Sequence, residues 1–281
     1  MKIAGVTVLY NPKKDLVENI KTYSQQLDCL YLIDNSYNDN SKLFKKIPNA
    51  VYIANHENLG MASALNKAIS LSIENGFKWL LTMDQDSYFK KDELEKLINK
   101  IINNKDDLVA IFSPLHDTGS KYLHTNLSEK CPVVMTSGNI INVDIANKVS
   151  GFKNWLFIDG VDHDFCLNIQ KNGYKIKLFS DIKLNHNLGQ LKIIKFFWKS
   201  LEITNHNHIR RYYITRNRLY LNDLYKNDFP LFCKQELKYT LKENVKILLF
   251  ETDKLKKLRY SYMGKRDYKK KLKKSPYEIE G

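Results

Sequence analysis

The sequence predicts an α/β architecture around a mostly parallel sheet, with a basic helical extension, and three observations predict it. Short apolar runs alternate with helically spaced apolar residues along the first 115 residues. Polar clusters follow the apolar runs: Asn11, Asp34-Asn35-Ser36, Asn58 and Asp84-Gln85-Asp86. The excess of basic residues is confined to one end. Residues 192–281 hold 23 lysines and arginines against 10 acids, whereas residues 1–191 hold 22 against 21. The chain therefore reads as an α/β part over 1–191 and a basic, mainly helical region over 192–281.

The elements follow in order. Ile3–Tyr10 is a buried-strand candidate, and the Asn11-Pro12 break leads to a helix with Leu16, Ile20, Tyr23 and Leu27 on one side. Leu30–Ile33 and Ala50–Ala54 are further strands. Asn58-Leu59-Gly60 opens a helix bearing Ala62, Leu65, Ala68, Ile69 and Ile73, closed by Gly76. Lys78–Met83 is a fourth strand. Asp92 is positioned as the N-cap of a helix with Leu94, Leu97, Ile98, Ile101 and Ile102 at helical spacing, and Val109–Phe112 completes the series. Beyond it, 133–136 and 140–143 read as short strands, 151–162 as an aromatic-rich loop, and 164–172 as a helix closed by Gly173. Residues 174–178 read as a strand, 185–189 as a polar turn, and 192–281 as helices with a frayed end.

Composition narrows the function classes. At 281 residues and 43% hydrophobic, the chain can bury a substantial core. The start, MKIAGVTVLYNPKKD, lacks the layout of a signal peptide, and no window approaches 18 uninterrupted apolar residues. Cys29, Cys131, Cys166 and Cys233 form no Cys-x-x-Cys pair, which argues against a zinc site or a disulfide framework and fits a reducing, cytoplasmic setting. No Gly-x-Gly-x-x-Gly follows the first strand and no Gly-Lys-Ser/Thr loop occurs, which argues against a nicotinamide dehydrogenase or a P-loop nucleotidase. Nucleic acid is not an expected partner, because the basic residues lie apart from the polar strand ends and no recognised binding module occurs.

In an open parallel sheet, the carboxyl ends of the strands form the ligand crevice, and the polar clusters converge there. Asp84-Gln85-Asp86 places two carboxylates at a strand end, within reach of a hard divalent cation that bridges a diphosphate. With 19 aspartates in the chain, roughly one Asp-x-Asp arises by chance, so position after the strand is what carries this reading. Asp159, Asp162 and Asp164 lie on a loop running into a helix and suit a general base, metal ligands or a helix cap. His186 reads either as a metal ligand or as a surface histidine.

In order and spacing, TVLYN (7–11), DNS (34–36), NLG (58–60), DQDS (84–87), TSGN (136–139), FIDGVDHDFCLNIQKNGY (157–174) and HNLG (186–189) resemble the family 2 glycosyltransferases of GT-A fold. The similarity spans about residues 3–220, including YYITRNRLYL (212–221), and is greatest to the bacterial rhamnosyltransferases of that family. This resemblance implies an inverting transferase. It would move a sugar, with rhamnose as the subgroup's donor sugar, from a nucleotide diphosphate to a hydroxyl of a lipid-linked precursor of lipopolysaccharide, capsule or another cell-surface glycan.

The resemblance also implies roles. Asn11, Asp34 and Asn58 line the nucleoside pocket, Asp84 sits at the ribose and diphosphate, and Arg216 meets the leaving diphosphate. Asp86 ligates Mg²⁺ or Mn²⁺, with His186 as a further metal or diphosphate contact. Asp162 falls at the position of the catalytic base, with Asp159 and Asp164 as stand-ins. This chain has Val161-Asp162 where many members have Glu-Asp, and Asn168 where arginine is common. A nucleotidyltransferase of similar sheet is the alternative enzyme reading, and a non-catalytic binding protein the alternative outside enzymes. Lys195–Lys199, with Phe196, Phe197 and Trp198, and the cluster Lys254–Arg259 mix cations with apolar residues, as a segment lying on an anionic membrane would.

Overall fold

The computed structural model describes residues 1–117, 133–186, 192–196 and 199–274. The chain divides into two compact units: Met1–Asn154 with Asp162–Asn187, and Trp155–Val161 with Leu188–Gly281.

The first unit is built on one eight-stranded sheet. Its strands are β1 (Ile3–Leu9), β2 (Cys29–Asp34), β3 (Ala50–Ala54), β4 (Trp79–Asp84), β5 (Ser87–Phe89), β6 (Val109–Asp117), β7 (Asn139–Asn142) and β8 (Lys175–His186). Their order is β3-β2-β1-β4-β7-β6-β8-β5. Pairing is parallel from β3 through β4 and between β6 and β8, while β7 runs antiparallel to both β4 and β6. The helices are α1 (Leu16–Ser24), α2 (Ser41–Phe44), α3 (Met61–Glu74), α4 (Glu93–Ile102), α5 (Val143–Lys148) and α6 (Val161–Lys171). The strands bury apolar side chains on both faces, as a helix-covered parallel sheet requires. Leu9, Leu30, Leu32, Leu81, Phe112 and Ile140 are among the fully buried side chains of the core. The Trp79 ring meets Phe112 edge-on at 5.6 Å.

Gly60 starts α3 at φ +81°, a backbone region that side chains other than glycine's rarely adopt. Its carbonyl accepts from the Asn35 side-chain amide at 3.1 Å, and its N–H donates to the side-chain oxygen of Asn58 at 3.1 Å. The glycine thus joins the ends of β2 and β3 to the start of the helix.

Several expectations need correction. Asp92 occupies the N-cap position of α4 but sits at φ +66°, and its side chain makes no capping hydrogen bond. Residues 133–136 form no strand; Thr136 O instead accepts from the Thr82 hydroxyl at 2.6 Å. The helix expected from Asp164 begins three residues earlier, at Val161, which brings Asp162 into its first turn. The strand expected over 174–178 runs on to His186, so Asn185-His186 is a strand end rather than a turn. Two partners explain that length: β8 pairs in parallel with β6 and, at its far end, antiparallel with β5. Strand β5 and helices α2 and α5 were not foreseen, being too short to show a periodicity. The side chain of Asn142 caps α5, its oxygen accepting from Asp144 N and Ile145 N.

The second unit is not helical throughout. A hairpin of β9 (Lys192–Phe196) and β10 (Lys199–Ile203) precedes helices α7 (His208–Tyr225), α8 (Pro230–Phe250) and α9 (Lys254–Lys269). α7 and α9 pack so closely that Gly264 of α9 lies against the α7 backbone. Buried ion pairs also link the elements of this unit. Buried Arg211 pairs with Glu251 at 2.5 Å, buried Lys257 pairs with Glu251 at 2.9 Å, and Arg218 pairs with both Glu236 and Glu243. Among the described residues, no helix is long and apolar enough to cross a membrane. Cys131, Phe197, Trp198, Asn187–Gly189 and residues 275–281 lie outside the described residues.

Candidate functional site

Three of the residues singled out in the sequence meet at one point. β4 ends at Asp84, a tight turn follows, and β5 begins at Ser87. Because β5 pairs with the end of β8, Ser87 stands opposite His186. The ligand atoms of Asp84, Asp86 and His186 all lie within 4.8 Å of one another. His186 Nδ1 lies 3.8 Å from the Asp86 carboxylate and 2.6 Å from the Ser87 hydroxyl. Burial lowers the His186 pKa, and the Asp86 charge opposes that shift. The imidazole is therefore neutral near pH 7 and has a lone pair to offer. Two carboxylates and a neutral imidazole are a donor set that suits a hard to borderline divalent ion such as Mg²⁺ or Mn²⁺.

The loop between the two aspartates is clamped. The Gln85 side chain accepts from Tyr10 N at 2.9 Å and donates to Tyr10 O at 3.2 Å, which ties the acidic turn to the end of β1. Asp84 N donates to the Ser137 hydroxyl at 3.0 Å, and the Ser137 carbonyl meets His116 Nε2 at 2.6 Å. Gln85, Ser87 and Ser137 lay within the motifs read from the sequence without a role assigned to them. His116 carried no sequence signal.

The ends of β1 to β3 form a second polar group. Asp34 is fully buried and its carboxylate is saturated. It accepts from Ser36 N and Oγ, from the Asn40 amide at 2.9 Å and from the Tyr52 hydroxyl at 2.8 Å. Its side chain therefore organises the loop over residues 34–40. Asn11, exposed and at φ +47°, donates its N–H to the Ser36 hydroxyl at 2.7 Å, so the first and second strand ends are joined. Asn58 turns its side-chain oxygen inward to Gly60 N.

The three acids of the segment 159–164 have different surroundings. Asp159, in the second unit at φ +61°, is held by the Arg210 guanidinium through contacts of 2.9–3.1 Å. Asp164 is fully buried and paired with Lys153 at 2.5 Å. Asp162, in the first turn of α6, is half-buried, and the hydrogen bond its carboxylate accepts is from the neighbouring His163 N at 2.9 Å. Of the three, Asp162 is the acid without a cationic partner among the described residues.

Arg216, expected at a leaving diphosphate, has another setting. Its side chain is fully buried within the second unit. It donates to the carbonyls of Trp155 (2.6 Å) and Lys274 (3.0 Å) and to the Asn217 side chain (2.9 Å), and it lies against the rings of Tyr212 and Tyr213. A guanidinium so enclosed anchors the segment around Trp155, and a diphosphate would reach it only by opening this packing. Asn217 completes the anchor by donating to the carbonyls of Leu156, Ile158 and Asp159.

The sequence and the fold are similar to those of known proteins. Over 272 residues, and 90% of both chains, the sequence is 26% identical to the dTDP-rhamnosyl transferase RfbF of Shigella flexneri. Over 188 residues it is 24% identical to an uncharacterized protein, MJ0544, of Methanocaldococcus jannaschii, covering 59% of this chain and 81% of that one. Among solved structures, the fold is similar to the mannosyltransferase PcManGT of Pyrobaculum calidifontis in complex with GDP-Man and Mn²⁺. That similarity has a TM-score of 0.61 and 12% identity, and covers 95% of this chain and 86% of that one. The fold is likewise similar to TarS of S. aureus in complex with UDP-GlcNAc, with a TM-score of 0.62 and 10% identity, covering 97% and 93%. The family described as glycosyl transferase family 2 matches residues 6–166, more than half of the sequence and the stretch that carries both aspartates of the acidic turn and Asp162. The chain belongs to glycosyl transferase family 2, and its sheet is that of a GT-A glycosyltransferase.

Proposed function

We propose that this glycosyltransferase takes rhamnose from a nucleoside diphosphate donor and passes it, by metal-assisted single displacement with inversion, to a hydroxyl of a cell-surface glycan precursor. The observation that carries this reading is the convergence of Asp84, Asp86 and His186 where β4, β5 and β8 meet. The choice of rhamnose rests on the similarity to the Shigella flexneri dTDP-rhamnosyl transferase across nine-tenths of both chains.

Asp86 and His186 would hold the divalent ion, and Asp84 would meet the ribose and diphosphate of the donor. When bound, the ion offsets the negative charge that develops on the departing diphosphate. The chain's own residues do the rest. Asn11 and Asn58, at the ends of β1 and β3, border the nucleoside, and Asp34 shapes its pocket through the loop it organises. Asp162 accepts the proton of the attacking hydroxyl, a task for which its half-buried carboxylate, without a cationic partner among the described residues, is suited. Attack from the face opposite the leaving group needs no covalent enzyme intermediate and inverts the anomeric carbon. Gln85 holds the acidic turn in register with the end of β1. The reaction takes place on the cytoplasmic side of the membrane, where the lipid-linked acceptor is met.

The test is a panel of nucleoside diphosphate sugars incubated with the protein, with Mn²⁺, Mg²⁺ or EDTA, and release of the nucleoside diphosphate as the readout. Release from dTDP-rhamnose above all other donors, abolished by EDTA, is the expected result. Preference for another sugar overturns the donor assignment, and turnover that is indifferent to EDTA overturns the metal's role.

A further inference from the structure

Helix α8 is turned inside out. Its two acids face the unit's interior: Glu236 and Glu243 pair with Arg218, and Glu243 also lies 3.6 Å from Arg211. Only Cys233 and Ile247 of its apolar side chains are buried. Leu231, Leu241 and Val245 are 83%, 69% and 53% exposed, and Leu237, Leu248 and Leu249 are exposed with them. At 3.6 residues per turn, these six project from one side of the helix, and the exposed Lys234, Lys238 and Lys242 stand among them. No acid is on that side. An ordinary surface helix does the opposite, burying its leucines and exposing its charges.

We infer that this face of α8 docks on an anionic lipid bilayer, with the leucines entering the headgroup boundary and the lysines meeting the lipid phosphates. Charge complementarity selects this occupant. An apolar face studded with lysines and free of acids is the pattern of a helix lying in a charged interface. A second copy of the chain would bring the same three lysines, and a region with 23 basic residues against 10 acids, against itself. The helix is also not apolar enough to cross the membrane, so it lies on the surface. The surface differs from the two segments to which the sequence points: the aromatic residues Phe197 and Trp198 lie outside the described residues, and in the Lys254–Arg259 cluster Lys257 is buried against Glu251. The inference stands apart from the glycosyl-transfer reading, because it concerns a surface on which none of the candidate site residues lies.

The experiment is flotation of the full chain with vesicles of phosphatidylcholine alone and with vesicles of equal phosphatidylcholine and phosphatidylglycerol, at low and high salt. Two variants accompany the wild type: the apolar variant Leu241→Asp with Val245→Asp, and the charge variant Lys234→Glu with Lys238→Glu and Lys242→Glu. The wild type should float with the anionic vesicles at low salt, and each variant should lower the bound fraction about ten-fold or more. Both variants change exposed side chains, so their melting temperatures should match that of the wild type, and this control separates lost docking from lost folding. Three outcomes overturn the inference: no flotation of the wild type with anionic vesicles at low salt, equal flotation of the variants, or a wild-type dimer in sedimentation that the apolar variant dissociates. Because the readout is lipid binding, a negative result leaves the donor assignment untouched.

Discussion

Three aspartates within six residues, at 159, 162 and 164, are chemically identical and have three different fates. Asp159 is neutralised by Arg210 and Asp164 by Lys153, whereas Asp162 lacks such a partner among the described residues. A carboxylate locked to a cation is a poor proton acceptor, so the surroundings favour Asp162 as the proposed base where spacing alone leaves three candidates. Asp162→Asn should keep nucleotide affinity within about two-fold and lower transfer by roughly two to four orders of magnitude. Calorimetric titration with the nucleoside diphosphate, beside transfer kinetics, checks this, and near-normal turnover would remove Asp162 from the role. A second residue ties stability to pH. Burial first, then the charges of Arg210, Arg211, Lys257 and Arg218, push His206 down to about 3. As pH falls below the ordinary imidazole value of 6.5, the unfolded chain gains a proton that the folded chain refuses until about pH 3. Stability is therefore lost across that window, by at most about 1.4 kcal/mol per pH unit from this group. His206→Gln lacks that loss, so its urea midpoint relative to wild type should rise steadily from pH 7 to pH 4.5. A difference that stays constant with pH would refute the assignment.

At the scale of elements, the packing of α7 on α9 depends on one missing side chain. A Cβ at Gly264 would lie 2.5 Å from Tyr212 O and 3.2 Å from Arg216 N, both backbone atoms of α7. Neither can yield without moving the helix, so Gly264→Ala should cost about 1–3 kcal/mol despite its better helix propensity. Denaturant unfolding gives the sign directly, and a variant more stable than wild type would show that the close approach is not needed. The same reasoning explains which elements could be read in advance. α3 and α4 have long apolar stripes that bury Leu65 and Ile69, or Leu94 and Leu97, and periodicity reveals them. β9 and β10 were read as helix because lysines interrupt their apolar residues, and only the pairing of Lys192–Phe196 with Lys199–Ile203 makes them strands. β5 is three residues long and exists because β8 is there to pair with it.

For the molecule as a whole, the proposed binding of an ion and a nucleotide at the acidic turn would link ligand binding to folding. A ligand that binds only the folded chain stabilises it by about 2.7 kcal/mol when present at a hundred times its dissociation constant. Together, Mn²⁺ and the nucleoside diphosphate should therefore raise the melting temperature by several degrees, and each alone by less. Asp86→Ala should abolish the increment due to the ion while the shift from high concentrations of nucleotide alone remains. Differential scanning fluorimetry distinguishes these cases, and an undiminished ion effect in the variant would take Asp86 out of the ligand set.

The sequence by itself determined the mostly parallel sheet, the sites of its polar strand ends, the family, and the concentration of positive charge in residues 192–281. All of these are carried by local periodicity, by short motifs or by simple counting. Only the tertiary structure decided that His186, a hundred residues from Asp86, joins the acidic turn, because that depends on β8 running past its expected end to pair with β5. It also decided that Arg216 is a buried anchor and that α8 shows its leucines to solvent. An arginine or a leucine carries no mark of which way it faces. Its direction is set by the partners that folding brings to it: the carbonyls of Trp155 and Lys274 for one, and the arginines that draw Glu236 and Glu243 inward for the other.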